Sequence, residues 1–600
     1  MKKQQVYLLS IELETLPAFL KKKKLAGLKY SFDKFKINEK ENFVINKEDF
    51  GAAPYRYMDH IASKIAENYY NKNKNHLIDK LIVNSLGEDF IERLIKKEIL
   101  AKLSRILRDM YLANIFLKQY NLDQINIYND KIDLEFFNII KKNLKFNKKI
   151  KFSKDLVIKN KFKKFLGKTY FFIKTLFQLE ILLFKCLKNW KQEKIQKFNF
   201  ATRIDNGLSF DDFPYSPEIL FNENSKNDVI YYADNNSISA ENQKKFRQKK
   251  YKLIFFIDDL IKLISFKSFY KKIYKKNFFI KISFLKIIYQ NNIFCSILSK
   301  SFEQIIFWEL FYNLFDVKKN IVLTVDCGVA LHYCSKKHNV NTSFVYPHFT
   351  EMLYHPFFKG LPVSSDWAYL RFDEINCDKT TKIYLDHLIS YEDYNEISFL
   401  FKNYVEKSQL SKMNFLNKFS FKDRKNKIIF FYDASVGNKG VMNLNEYKNF
   451  LNAINYLLNN SDFIIGLKTK DLRVFEDNRE VFELLINLKK HKRFIFLNEI
   501  NIERYSLLNV PDVIISPPIS TIIFEVCCLK KKLLVLNLNK RYKYLKKLMS
   551  NDEKVIISVE NLKELNQKIN ILLNKNIENE INQISQKYFL INKNDINNLY

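Results

Sequence analysis

A chain of 600 residues exceeds what one compact core holds, so at least two domains are expected. A hydrophobic fraction of 47%, with aromatics at 15% of the chain, excludes disorder along its whole length. Lys and Arg number 100 against 66 Asp and Glu, a formal charge of +34. That balance points to an anionic partner such as phosphate, nucleic acid or an acidic membrane face, although a codon bias toward Lys, Asn, Ile, Phe and Tyr would produce the same figures.

The N-terminal "QQVYLLSI" (4–11) is expected to be a strand. Glu12 and Glu14 follow it at once, which argues against a signal peptide. A helix over "LPAFLKKKKLAGL" and a second strand in "KYSFDKFKI" come next. Two long Lys-studded segments, 161–197 and the run beginning "LIKLISFKSFYKK", have helical spacing and aromatic residues, and are expected to be helical insertions (about 85–200 and 258–315). Such basic amphipathic helices either pack internally or lie in a membrane interface. "DVIYYAD" (228–234), "KLIFFID" and "NIVLTVDCG" (320–328) read as strands of the same sheet as the N-terminal one. No uncharged apolar run of about 18 residues occurs, so no spanning helix is expected.

From about Lys425 the pattern becomes regular. "KIIFFYD", "DFIIGLKTK", "RFIFLN", "DVIIS" and "KLLVLN" are short strands apolar on both faces. Helical segments alternate with them, beginning with one that carries Tyr447, Phe450, Leu451, Ile454 and Leu458 on one face. Short doubly buried strands alternating with helices predict a parallel, doubly wound sheet. The chain is therefore expected to be α/β, with two Rossmann-like domains and a helical insertion in the N-terminal half. The boundaries expected are 1–415 and 425–600, with the linker near 405–425. The seven cysteines show no metal-ligand spacing, and an odd count without a framework suggests a reducing compartment.

Ligands of open parallel sheets bind beyond the carboxyl ends of the strands. After "KIIFFYD", the small residues of "ASVGNKG", including Ser435 and Asn438, can present backbone N–H groups. Lys468 and Lys470 follow the second strand, where they either clamp a diphosphate or stand in solvent as ordinary surface lysines. Pro517 and Pro518 stop the strand that begins at Asp512. Ser520 is then placed to cap a helix, Thr521 lies in its first turn, and Glu525 lies one turn further on, suited to accept ribose hydroxyls.

The stretch "PDVIISPPISTIIFEVCCLKKKLLVLN" resembles the donor-site strand–loop–helix of GT-B glycosyltransferases, above all those of bacterial surface-polysaccharide and capsule biosynthesis. "GLKTKD" stands where those enzymes carry a Lys-Pro-His-Pro-like phosphate element, here without the His-Pro. "NTSFVYPHF" resembles their strand ending in Gln-His-Gly, matched here only by His348. The resemblance implies a GT-B-like pair of domains and transfer of a sugar from a nucleotide-sugar donor to a surface-polysaccharide or lipid-linked glycan acceptor. It implies no metal or other cofactor. Ser435, Asn438, Lys468, Lys470, Ser520, Thr521 and Glu525 would hold the donor. Glu14 and His348 would be the first candidates for the catalytic base, ahead of Glu12, Asp326 and Glu351, while His332 and His338 would lie on a helix surface. The protein would be cytoplasmic and peripheral on the inner face of an anionic membrane, with no nucleic-acid partner. Polyol-phosphate transfer, sugar-nucleotide epimerisation, a non-catalytic relic of the fold and a basic nucleic-acid-binding protein are the rival readings.

Overall fold

The structure, a computed structural model, describes residues 6–9, 29–30, 62, 65–72, 86–119, 125–128, 150–152, 154–189, 195–203, 228–233, 244, 248, 252–290, 295–322, 329–345, 373–377, 394–396, 410–419, 421, 426–434, 436, 442, 444–470, 472–500, 502, 504–518, 520, 522–538, 556–576, 578–580 and 583. Every strand pairing among them is parallel.

A first sheet combines β1 (Val6–Leu9), β2 (Lys29–Tyr30), β3 (Ile125–Tyr128) and β4 (Ile150–Phe152), in the order β2-β1-β3-β4. The long helix α1 (Glu88–Gln119) precedes β3. This four-stranded sheet corrects two expectations. The N-terminal strand does not share a sheet with residues 228–234 and 320–328. The segment 85–200 is not purely helical either, since it contains β3, β4 and the start of the next sheet. Strand order is set by pairing across long sequence separations, which hydrophobic periodicity does not encode.

A seven-stranded sheet follows α2 (Lys154–Cys186). It comprises β5 (Gln196–Arg203), β6 (Val229–Ala233), β7 (Lys252–Phe255), β8 (Phe315–Val322), β9 (Asn341–Val345), β10 (Glu374–Cys377) and β11 (Tyr394–Glu396), in the order β11-β10-β9-β8-β5-β6-β7. β8 begins at Phe315, five residues ahead of the expected strand. The β7–β8 connection is the second expected helical insertion. It holds α3 (Phe256–Leu263), a π-helical turn (Phe269–Tyr274), α4 (Lys275–Gln290) and α5 (Cys295–Leu314). α5 is buried nearly all round, as a helix apolar on every side must be. Its Trp308 meets Tyr232 edge-on with ring centroids 4.8 Å apart. α6 (Val329–Lys337) then leads to β9.

Alternation along β6 divides its residues between two cores. Ile230 and Tyr232 join the helical core of α1, α2, α4 and α5, whereas Val229, Tyr231 and Ala233 belong to the same contiguous buried cluster as the C-terminal sheet. The stretch expected as a linker contributes to that cluster. It contains α7 (Lys412–Lys418), capped by Ser411, whose Phe415 and Leu416 are buried and whose Phe415 ring packs on Phe430.

The C-terminal sheet contains β12 (Ile428–Tyr432), β13 (Ile464–Lys468), β14 (Phe494–Phe496), β15 (Val513–Ser516), β16 (Leu533–Leu536) and β17 (Ile556–Val559). Its order is β14-β13-β12-β15-β16-β17. Numbered within each sheet, the middle and C-terminal sheets both run 3-2-1-4-5-6, the doubly wound Rossmann order, and the middle one adds a seventh strand. These are the two Rossmann-like domains expected. β17 was not expected, because acids and lysines flank its short apolar run. The helices α8 (Leu444–Asn460), α9 (Arg479–Lys489), α10 (Ile522–Cys528) and α11 (Leu562–Asn574) connect or follow the strands. The predicted apolar face of α8 is buried. Asn478 and Asn561 cap α9 and α11 by accepting from Val481 and Lys563 N–H groups.

Candidate functional site

The order 3-2-1-4-5-6 reverses direction between β12 and β15, so the chain leaves their carboxyl ends in opposite directions and opens a crevice there. The rim on the β12 side is built from three strand ends. Asp433 directly follows β12, Thr469 and Lys470 follow β13, and Asn498 lies just after β14. The Asp433 carboxylate accepts the Thr469 hydroxyl proton and, at 2.7 Å, the Lys470 N–H. The Tyr447 hydroxyl lies 3.2 Å from the Thr469 oxygen and also bonds Asp433. Thr469 and Asn498 exchange two further bonds, N–H to Oδ1 at 2.8 Å and Nδ2–H to O at 2.9 Å. The Asp433 N–H donates to the Lys468 carbonyl at 3.2 Å.

Burial pushes the Asp433 carboxyl up to about 6, and its bonds from Thr469, the Lys470 N–H and Tyr447 only partly offset that. The network fixes the backbone of the β13 turn, leaving Lys470 exposed and Lys468 half-buried at the sheet's carboxyl edge. β13 lies close to β12 because Gly466 faces Phe430. A Cβ on Gly466 would stand 2.6 Å from Phe430 Cδ1 and 2.7 Å from Cε1.

Across the switch point, β15 ends at Ser516, whose hydroxyl donates to the Pro517 carbonyl at 3.2 Å. Pro517 and Pro518 stop the strand as expected and are buried. Ser520 is also buried, and its carbonyl accepts from the Ile523 N–H at 3.2 Å as α10 begins. α10 has seven residues, too few for a helix-terminus anion site. Glu525 is only 2% exposed, so it is not a surface acid. Asp512 lies at the opposite, amino end of β15. Its carboxylate accepts from Lys412 Nζ at 2.6 Å and the Ile428 N–H at 2.8 Å, which ties α7 to the start of the sheet.

Of the residues singled out from sequence, Lys468 and Lys470 share one rim, and Ser520 and Glu525 stand behind the β15 turn. Glu14, His348, Ser435, Asn438 and Thr521 lie outside the described residues, as do Glu12, Asp326 and Glu351. His332 corrects its expectation. It is half-buried rather than on a helix surface, and burial together with the Arg93 and Lys97 cations pulls it down to about 3. His338 contacts Glu309, with Nε2 3.2 Å from Oε2, and Lys337 pairs with the same carboxylate. The Asp433–Thr469–Asn498 network was not expected from the sequence. Its only signal there is a polar residue at the end of each of three successive strands.

No known family pattern and no curated protein matches the chain. Similar solved structures include a UDP-GlcNAc 2-epimerase from Methanocaldococcus jannaschii, with TM-score 0.39 and 13% identity, covering 63% of this chain and 93% of that one. The wall teichoic acid polymerase TagF aligns at TM-score 0.38 and 12% identity, covering 73% and 96%. A glycosyltransferase from Rickettsia africae aligns at TM-score 0.38 and 14% identity, covering 67% and 97%. At these scores the likeness carries no weight for activity. The fold is classified by its strand orders.

Proposed function

We propose that this chain is a glycosyltransferase of the GT-B type, moving a sugar from a nucleotide-sugar donor to a surface-polysaccharide or lipid-linked glycan acceptor. The supporting observation is the rim at the C-terminal switch point, where the Asp433–Thr469–Asn498 network fixes the backbone that carries Lys468 and Lys470 at the end of β13. A leaving diphosphate needs cations whose positions are set before the reaction, because preorganised charge costs no rearrangement as the bond breaks. In this reading residues 425–600 hold the donor and residues 1–415 hold the acceptor.

The acceptor hydroxyl attacks the anomeric carbon as a base takes its proton. The bond from that carbon to the diphosphate oxygen breaks, and the diphosphate leaves onto Lys468 and Lys470 without a metal ion. Ser435 and Asn438 contribute polar groups from the β12 loop. Glu525, with Ser520 and Thr521, takes the ribose once donor binding uncovers its carboxylate. Glu14 and His348 remain the candidates for the base.

The test is a thermal-shift panel of nucleoside diphosphates and nucleotide sugars. One nucleotide class raises the melting temperature, and a variant carrying Lys468→Ala with Lys470→Ala loses that shift while melting normally without ligand. A chain that responds to no nucleotide, or a double variant that responds as the wild type does, overturns the proposal. Protection by a cytidine diphosphate polyol alone would point to polyol-phosphate transfer. Conversion of a nucleotide sugar without an acceptor would point to epimerisation.

A further inference from the structure

α2 carries an apolar stripe that faces solvent. Leu166, Tyr170, Ile173, Phe177, Ile181 and Phe184 recur every three or four residues, and each is 49–73% exposed. At 1.5 Å per residue they form a line about 27 Å long on one face of the helix. The opposite face holds buried Thr175, Gln178, Leu179 and Leu182. The stripe is therefore not a core face turned outward by error, since α2 already has a core face.

α4 lies antiparallel beside α2. Lys168 Nζ reaches the Tyr289 carbonyl at 2.6 Å, Lys281 Nζ reaches the Leu176 carbonyl at 3.4 Å, and the Tyr274 hydroxyl reaches Glu180 at 3.2 Å. α5 packs against both helices and against β8, which places α2 and α4 in the outer layer. Along α4 and the π-helical turn before it, exposed Lys271, Lys275 and Lys286 alternate with exposed Phe279, Ile282 and Tyr289. No acidic residue occurs between Asp259 and Glu303. One outer surface thus combines an apolar ridge with an adjacent row of lysines and aromatics.

We infer that this α2–α4 face docks the protein onto an anionic phospholipid bilayer, with the α2 stripe at the acyl boundary and the α4 lysines among the headgroups. The charge pattern selects the occupant. A second copy bound through the same face would set one lysine row against another, and like charges in apposition oppose association. Nucleic acid would meet the lysines but gains nothing from a ridge of Leu, Ile and Phe. A bilayer satisfies both halves, because aromatic and aliphatic side chains enter the interface while lysines meet lipid phosphates. No helix among the described residues is long and apolar enough to cross a membrane, so α2 would lie in the interface plane. Docking of this kind does not depend on the nucleotide site, although it would place a lipid-linked acceptor within reach of the protein.

Vesicle flotation of the full chain tests this, using phosphatidylcholine vesicles with and without phosphatidylglycerol and no nucleotide present. The chain floats with the anionic vesicles and loses binding as salt rises. Phe177→Asp with Phe184→Asp lowers vesicle affinity by at least tenfold. Lys271→Glu with Lys275→Glu lowers it by at least twentyfold, at about fivefold per lysine lost, and weakens the salt dependence. All four positions are exposed, and circular dichroism confirms that both variants stay folded. No flotation, equal flotation on pure phosphatidylcholine, or flotation that neither pair reduces overturns the inference. So does a wild-type dimer in light scattering that the Phe177/Phe184 variant dissociates, or a structured RNA held by wild type and lost by that variant. Nucleotide protection is read separately, so failure here leaves the transferase proposal standing and failure there leaves this one standing.

Discussion

Thr469 gives its hydroxyl proton to Asp433, a side-chain bond that ties the carboxyl ends of β12 and β13 together beside the switch point. The carboxyl that receives it gives the fold a pH dependence. The folded state holds the Asp433 proton more tightly than the unfolded state does, because burial raises the carboxyl from 3.8 to about 6. The stability this group contributes is therefore fully present below pH 4 and declines as pH rises through 6, beyond which it is constant. A rise of that size is equivalent to about 3 kcal/mol. Urea unfolding between pH 4 and 7 should show that the stability gap between wild type and Asp433→Asn changes by that order across this window. A flat difference would show that Asp433 is ordinary.

Glu309 has the opposite sign. Burial pushes it up, but His338 and Lys337 outweigh burial and hold it below its ordinary value of 4.5. Its contribution is present above pH 4.5 and is lost as pH falls through the lower folded value. Glu309→Gln should cost about 1–3 kcal/mol at pH 7, with the gap closing as acid takes the pH down through the lowered folded value. Thermal unfolding across an acid pH series measures it.

Gly466→Ala sets a Cβ within 3 Å of the Phe430 ring, whose position β12 and α7 fix from the other side. Overpacking of this kind costs about 1–3 kcal/mol. The double variant Gly466→Ala with Phe430→Leu should recover part of the loss, and a simple sum of the two single losses would refute the contact.

Asn320 is fully buried and links two tyrosines. It accepts from the Tyr232 hydroxyl at 2.9 Å and donates to Tyr312 at 2.9 Å, and Tyr312 in turn contacts Ser335 at 2.8 Å. Asn320→Ala strands the Tyr232 hydroxyl and removes one of the two partners of Tyr312, which keeps Ser335, so a loss of about 1–3 kcal/mol is expected. Tyr232→Phe in the same background should restore part of it, which chemical denaturation of the double variant measures.

At the rim, Lys468→Ala with Lys470→Ala should weaken nucleoside-diphosphate binding at least tenfold, as loss of charge-assisted bonds to phosphate implies. Isothermal titration measures it, and unchanged affinity would remove both lysines from the site.

The C-terminal half was readable because strands buried on both faces, such as "KIIFFY" and "DVIIS", write their burial as continuous apolar runs. β17 was not, because "VIIS" is short and set among charges. The rim network escaped because Asp433, Thr469 and Asn498 are far apart in sequence and meet only through the order of the strands. Glu525 was legible as an acid one turn into a helix, but which face of α10 turns inward depends on packing that spacing alone does not settle. The four-stranded N-terminal sheet was hidden for the same reason, since nothing local in "QQVYLLSI" tells it to pair with Ile125–Tyr128 rather than with a later strand.

The pairing of β5 with β8 has a consequence for synthesis. When Arg203 is added to the chain, its neighbour Phe315–Val322 is still more than a hundred residues from being made. At roughly 5–20 residues per second, one side of β5 stays open for about ten seconds. During that interval β5, β6 and β7 present an uncovered ladder edge in a nascent chain, and a holdase acting between the appearance of β7 and β8 would protect yield more than one acting after release.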